Sequence, residues 1–196
     1  LSAGVQRVLA ISACAGRPVD LATLSAIDAR GPVATARDLR EALRDGLLVQ
    51  TDGDPDPISR RAFYQPLHDG IHQVAYALLS EGARAAIHLQ VGRQLLQAGE
   101  DLFTAIDHYQ RGADAIDDPV EREQLARLYL EAARRARGLT AYAAAVRHAK
   151  AGLAALAALS PDPWTTHEDL SFRLHREWLH AGAMHGDVTS ADELFA

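Results

Sequence analysis

The chain has 196 residues, 48% of them hydrophobic, and a formal charge of -6 at pH 7. That length holds one large domain or two small ones with a real apolar core, and the acidic balance argues against a nucleic-acid binder, because phosphate contacts need concentrated positive charge. Cys14 is the only cysteine, which excludes an internal disulfide, and no apolar run reaches the length of about 18 residues that reads as a membrane span.

No basic-then-apolar leader precedes the first helix, and the lone thiol sits in an apolar run, so the expected setting is a reducing, cytoplasmic one with no membrane partner. Lys150 is the single lysine among 20 basic residues. The chain begins at Leu1 without an initiator methionine, and Met184 is its only methionine. We therefore expect a fragment of a longer protein.

Helical spacing of Val5, Val8, Leu9 and Ile11 predicts a first helix from Ser2, a suitable N-cap, to Ala15, with Gly16 as its stop. Pro18 breaks the chain, and Asp20 can cap a short second helix through Ile27. Gly31-Pro32 introduces a third helix whose Leu39, Leu43 and Leu47 recur every four residues, with Gly46 at its end. "LLVQT", the turn-rich "DGDPDP" and "RAFYQPL" then read as two strands and their loop. Three helices followed by a hairpin is the order of a winged-helix domain.

After Pro66, residues His68 to Leu79 predict a helix with Ile71, Val74, Ala75 and Leu78 on one face. Everything beyond reads as helical: near 82–98, 101–115, 119–137, 141–158 and 166–185, with a last helix from about Ser190. Breaks fall at Gly99, Asp117-Asp118-Pro119, Gly138, Ser160 to Pro163 and Gly186-Asp187. Tyr142 with Ala145, and Val188 with Ala191, share a pattern of a large residue opening a helix and a small one at its close contact. Stacked helix pairs of tetratricopeptide (TPR) type need that pattern, although an alanine-rich bundle without repeat geometry would serve "AGLAALAAL" equally well. The expected fold class is mainly α: a winged-helix domain over residues 1–79, then TPR-like helical repeats over 80–196.

"HDGIH" has the outline of H-x-x-x-H, in which two imidazoles one helical turn apart can hold zinc. Asp69 stands where a metalloprotease carries glutamate, the first histidine lies at the start of the helix, and no third ligand is indicated. His175, His180 and His185 step by five residues, about 140° apart on a helix, so they do not share a face. His88, His108 and His148 each stand alone in a helix. Cys14 has no histidine near it in sequence, and no serine lies in a strand-turn-helix elbow. The only lysine follows no glycine-rich loop, which excludes a phosphate-binding loop here, so we expect neither catalysis nor a resident cofactor in this chain. Between Asp28 and Asp45, the stretch around the third helix, Arg30, Arg37, Arg40 and Arg44 are matched by Asp28, Asp38, Glu41 and Asp45. That balance favours protein packing over DNA reading, and Arg60-Arg61 is the only basic doublet near the wing.

In this order and spacing the residues resemble a known segment over nearly the whole chain. "VQRVLAISACAG", "VDLATLSAI" and "LREALRDGLL" look like the winged-helix opening that follows the AAA-like ATPase core of bacterial STAND proteins, the signal transduction ATPases with numerous domains. The likeness is to the multidomain sensor histidine kinases and serine/threonine kinases of that class. "LHDGIHQVAYALL" resembles the family's histidine-aspartate pattern through His68, Asp69, Gln73, Ala75 and Tyr76. Arg84, His88, Gly92, Arg93, Leu95 and Leu96 match the next helix, and "EREQLARLYLEAARRARGLTAYAAA", with Tyr142, matches the first repeat-like hairpin. The departure is Gly70, where the family usually has arginine.

The resemblance implies that His68 and Asp69 face an ATPase domain absent from this chain, the histidine contacting the phosphates of ADP bound there and helping to lock a resting state. ATP or ADP would belong to the parent protein. Expected partners are the upstream ATPase domain and proteins bound by the helical repeats. Two other readings stay open: a DNA-binding winged-helix regulator with a helical effector domain, and a hydrolase with metal at His68 and His72.

Overall fold

Helix α1 (Ala3–Ala15) starts where Ser2, in extended backbone, accepts the Val5 amide on its hydroxyl. It stops at Gly16, whose left-handed backbone ends the ladder. This computed structural model describes residues 1–52 and 62–186, which are mainly helical. The chain divides into two compact units, Leu1–Ala115 and Ile116–Ala196.

In the first unit α1 is the central rod, with Val5, Val8 and Ile11 almost fully buried. A two-residue strand, β1 (Val19–Asp20), runs into α2 (Leu21–Asp28), where the Asp20 carboxylate accepts the Thr23 amide at 2.7 Å. Helix α3 (Pro32–Arg44) opens on the expected Gly31-Pro32 pair and buries Leu39 and Ala42. Leu47 lies beyond its end, past Gly46 with its positive φ of 67°.

Strand β3 (Phe63–Pro66) pairs antiparallel with both β1 and β2 (Leu48–Asp52). Gln50 faces Tyr64 and Asp52 faces Phe63, so Thr51 is the extra residue of a bulge. The alternation of an exposed Phe63 with a fully buried Tyr64 sets β3 against the helices, and Tyr64 shares one core with Val8, Leu24, Leu39 and Leu48. Most of the predicted "DGDPDP" loop and the Arg60-Arg61 doublet lie outside the described residues.

The unit continues through α4 (Asp69–Ala77), α5 (Glu81–Gln97), α6 (Leu102–Arg111) and a 3-10 turn at Ala113–Ala115. Val91 and Leu95 of α5 and Ala105 of α6 join the same apolar cluster as α1 and the sheet. Helices α5 and α6 therefore belong to this unit, whose boundary lies beyond Leu79. Their approach is close at Gly112, where an added Cβ would stand 2.6 Å from the Leu89 amide nitrogen.

The second unit begins with α7 (Pro119–Gly138), whose Asp118 cap and Pro119 in the first turn follow the sequence signal. Next come α8 (Tyr142–Ala157), a single turn α9 (Pro163–Thr166), and α10 (Glu168–His185). Helix α8 packs against both α7 and α10. Small side chains allow this: Ala126, Ala133, Ala145 and Ala149 are fully buried, and an added Cβ at Gly152 would stand 2.6 Å from Leu174. The buried carboxylate of Glu177 on α10 accepts hydrogen bonds from Arg134 (3.3 Å) and Arg137 (2.8 Å) of α7. The predicted last helix from Ser190, with Val188 and Ala191, lies outside the described residues.

Candidate functional site

The histidine-aspartate pair sits where β3 hands over to α4. Pro66 ends the strand, the Leu67 amide donates to the Leu47 carbonyl at 3.1 Å, and His68 adopts an extended backbone as the N-cap of α4. Its Nδ1 accepts the Ile71 amide at 3.4 Å, so the imidazole fills the place that serine or aspartate fills at other helix starts, through a long and weak bond. His68 lies just before the helix rather than being its first residue. Asp69 is the first helical residue, where the partial positive charge of the helix terminus favours a carboxylate. Both side chains are exposed. A Cβ added at Gly70 would stand 3.2 Å from His68 Nδ1, so glycine leaves this ring room over the first turn.

His68 borders two cavities within the first unit. One is an apolar cleft of about 760 Å³ lined by α1, α4 and α5, with Ile11, Ile71, Val74, Leu78 and Ile87 on its walls. The outer face of α4 is uncovered there: Val74 and Leu78 are 60% and 78% exposed. The other cavity, of about 320 Å³, is more polar and takes in Ser12, Arg17, Asp69 and His72. The buried Ser12 hydroxyl has no hydrogen-bond partner among the described residues. His72 lies near-parallel to the Tyr76 ring, with centroids 6.4 Å apart. Among the described residues no three histidine, cysteine, aspartate or glutamate side chains are grouped to hold a metal ion.

The remaining motif residues fall into three places. Gln73 is exposed on α4, Arg93 is half-buried on α5, and Tyr142 opens α8 in the second unit. Gly92 lets α6 approach, since a Cβ there would stand 2.8 Å from the Tyr109 ring. Tyr76, Arg84 and His88 converge in one cluster. The Arg84 guanidinium lies 4.9 Å above the centre of the Tyr76 ring while its Nε–H donates to the Leu79 carbonyl at 3.0 Å, and the Tyr76 hydroxyl meets His88 Nε2 at 3.2 Å.

The cluster holds a member that sequence reasoning placed elsewhere. His88 and His108, expected to stand alone, face each other with Nδ1 atoms 3.0 Å apart, and both are buried. They are separated by 20 positions on successive helices, so no local motif announces the pair. One proton arrangement satisfies every group. His108 donates its other N–H to the Ala15 backbone, its Nδ1 accepts from His88 Nδ1–H, and His88 Nε2 accepts from the Tyr76 hydroxyl. Burial, reinforced by His108 and Arg111, pushes His88 from its ordinary 6.5 down to about 4, and burial also lowers His108. Both rings are neutral at pH 7.

Two other polar groups are structural. Burial opposes ionisation of Asp28, but hydrogen bonds from Arg30 and Thr35 and the nearby charges of Arg30 and Arg7 outweigh it and hold the carboxyl below its usual range. Arg30 also reaches Asp38 at 2.9 Å, and Arg37 pairs with Asp38 and Arg44 with Asp45. Arg30, Arg37 and Arg44 thus spend much of their charge on neighbouring acids. Burial raises the Cys14 thiol to about 11, which makes it a packed, unreactive group.

Among the described residues, no helix is long and apolar enough to cross a membrane. No family model, no curated protein and no solved structure matches this chain.

Proposed function

We propose that this chain is a non-catalytic regulatory segment of a STAND-type signalling ATPase or kinase. Its first part acts as a winged helix that packs on a nucleotide-binding domain elsewhere in the parent. Its helical remainder, as TPR-like repeats, makes the protein contacts through which a signal is received or passed on. ATP and ADP belong to the parent's nucleotide domain.

The observation that carries this reading is the exposed His68–Asp69 pair at the head of α4, on the rim of an apolar cleft. An imidazole placed there can present its Nε2–H to a phosphate oxygen while Nδ1 keeps the helix cap. The uncovered Val74 and Leu78 beside it suit burial against another domain. The pairing of Arg30, Arg37 and Arg44 with acids supports protein packing over contact with DNA phosphates.

The test is ADP retention by the intact parent protein carrying His68→Ala. The expected result is faster ADP loss and raised signalling output, with the fold unchanged. Wild-type retention and output in this variant would overturn the reading.

A further inference from the structure

We propose that Tyr76, His88 and His108 form an acid-sensitive latch that ties α4 and α6 to α5 when both imidazoles are neutral and releases α4 when they are protonated. This latch stands whether or not the chain works beside a nucleotide-binding domain.

The geometry supplies the switch. In the neutral state three hydrogen bonds run in one direction, from Tyr76 through His88 and His108 to the Ala15 backbone. A first added proton leaves a hydrogen on His88 Nε2 wherever the charge settles, on His88 with its Nδ1–H still donating to His108 or on His108 with the middle bond reversed, and His88 Nε2 must then donate to the Tyr76 oxygen. The Tyr76 hydroxyl hydrogen is displaced from its acceptor. A second proton sets two N–H groups against each other across 3.0 Å, inside a site with both rings under 10% exposed. Both steps load charge onto buried groups: the first turns round the Tyr76–His88 bond that joins α4 to α5, and the second breaks the His88–His108 bond that joins α5 to α6.

The surroundings do not neutralise that charge. From α6, Asp107 favours protonation but Arg111 opposes it, and Arg17, in the turn after α1, also opposes it at His108. Arg17 is itself paired with Glu100 at 2.9 Å. On α5, Arg84 is cationic and stacked on Tyr76; from α1 comes the un-ionised Cys14 thiol; from α4, His72 lies beside Tyr76. Asp28, the only charged residue of α2, is held by Arg7 and Arg30, and Asp114 of the 3-10 turn is exposed. No buried carboxylate waits to receive the proton's charge among the described groups. The expected effect of acid is therefore opening rather than a new salt bridge.

The consequence falls on α4. That helix carries His68 at its start and Val74 and Leu78 on the cleft wall, and its Tyr76 is the group bonded to His88. Releasing Tyr76 loosens the helix that builds both the exposed histidine-aspartate junction and the apolar cleft.

The experiment combines two measurements on the whole chain. Histidine ring resonances are followed by NMR from pH 8 to pH 4, and amide-exchange protection of α4 is measured over the same range, with α3 as internal reference. His88 should titrate well below an ordinary histidine, and α4 protection should fall by on the order of fifty-fold between pH 7 and about 4.5, with α3, which opens only on global unfolding, the better protected of the two at every pH. The variant pair His88→Gln with His108→Asn, which keeps polar atoms in place without an imidazole to protonate, should abolish that fall. Titration of both histidines near the ordinary value, or an undiminished fall in the double variant, overturns the latch. If the double variant does not fold, the wild-type titration and its coincidence with α4 opening decide the matter by themselves.

Discussion

Replacing Gly112 by alanine tests the packing that brings the two buried histidines together. Gly112 has a φ of -103°, which alanine adopts without strain, so the backbone itself raises no objection. The added methyl group would stand 2.6 Å from the Leu89 nitrogen and 2.8 Å from the Ala85 carbonyl oxygen, both backbone atoms of α5. A methyl needs about 3.4 Å or more, so the helices must part by several tenths of an ångström. Overpacking of this kind costs about 1–3 kcal/mol, and the gain from a less flexible unfolded chain returns only about 0.4–1 kcal/mol. The net expectation is a loss of about 1–2 kcal/mol, or a fall of about 2–8 °C in the melting temperature. Gly138→Ala is the control of opposite sign: it ends α7, is exposed, and an added Cβ meets nothing within 4 Å, so helix propensity should raise stability slightly. Urea denaturation of both variants, followed by circular dichroism, measures the difference. A Gly112→Ala chain as stable as wild type would refute the close approach of α5 and α6.

Acid sensitivity should appear in global stability too. A histidine whose folded value lies below its unfolded value makes the folded state harder to protonate, so its contribution is complete above about pH 6.5 and is lost as the pH falls toward 4. For His88 alone that amounts to about 3 kcal/mol. Urea midpoints at pH 7, 5.5 and 4.5 should decline steadily, and His88→Gln should flatten the decline. In the second unit, Arg137→Ala removes the shorter of the two hydrogen bonds to the buried Glu177, leaving the longer one from Arg134 and the ion pair with Arg176 at 4.0 Å, at a cost of about 1–2 kcal/mol. A double-mutant cycle with Glu177→Gln should return a coupling energy of at least about 0.5 kcal/mol, and additive losses would show that the pair does not act as one.

Much of the helical order was legible because it is written locally. Ser2, Asp20, Gly31-Pro32 and Asp118-Pro119 each mark a helix start through chemistry contained within three or four residues, and Gly16 and Gly186 mark ends in the same way. Strand β1 was not legible: two residues show no periodicity, and Val19 becomes a strand only because Tyr64, 45 positions later, offers it a partner. The end of α2 gives no signal either, since Ala29 holds a left-handed backbone usually given to glycine. At the candidate site, His68 and Asp69 stood out as a histidine-aspartate pair after a proline, whereas Tyr76, Arg84 and His88 were singled out only as positions of the family resemblance. It left His108 aside.

What the sequence by itself determined is the set of properties that depend on neighbours along the chain: helices with their caps, charge balanced between Asp28 and Asp45, a thiol in an apolar stretch, and a histidine-aspartate pair opening a helix. Only the tertiary structure decided which distant groups share an interior. It makes His68 an exposed cap beside an apolar cleft, sets Glu177 between two arginines, and turns two unremarkable histidines into a hydrogen-bonded pair. The reason is physical: capping and periodicity act over one helical turn, whereas the cost of burying a charge depends on everything that surrounds it, and that enclosure exists only once α5 and α6 have packed.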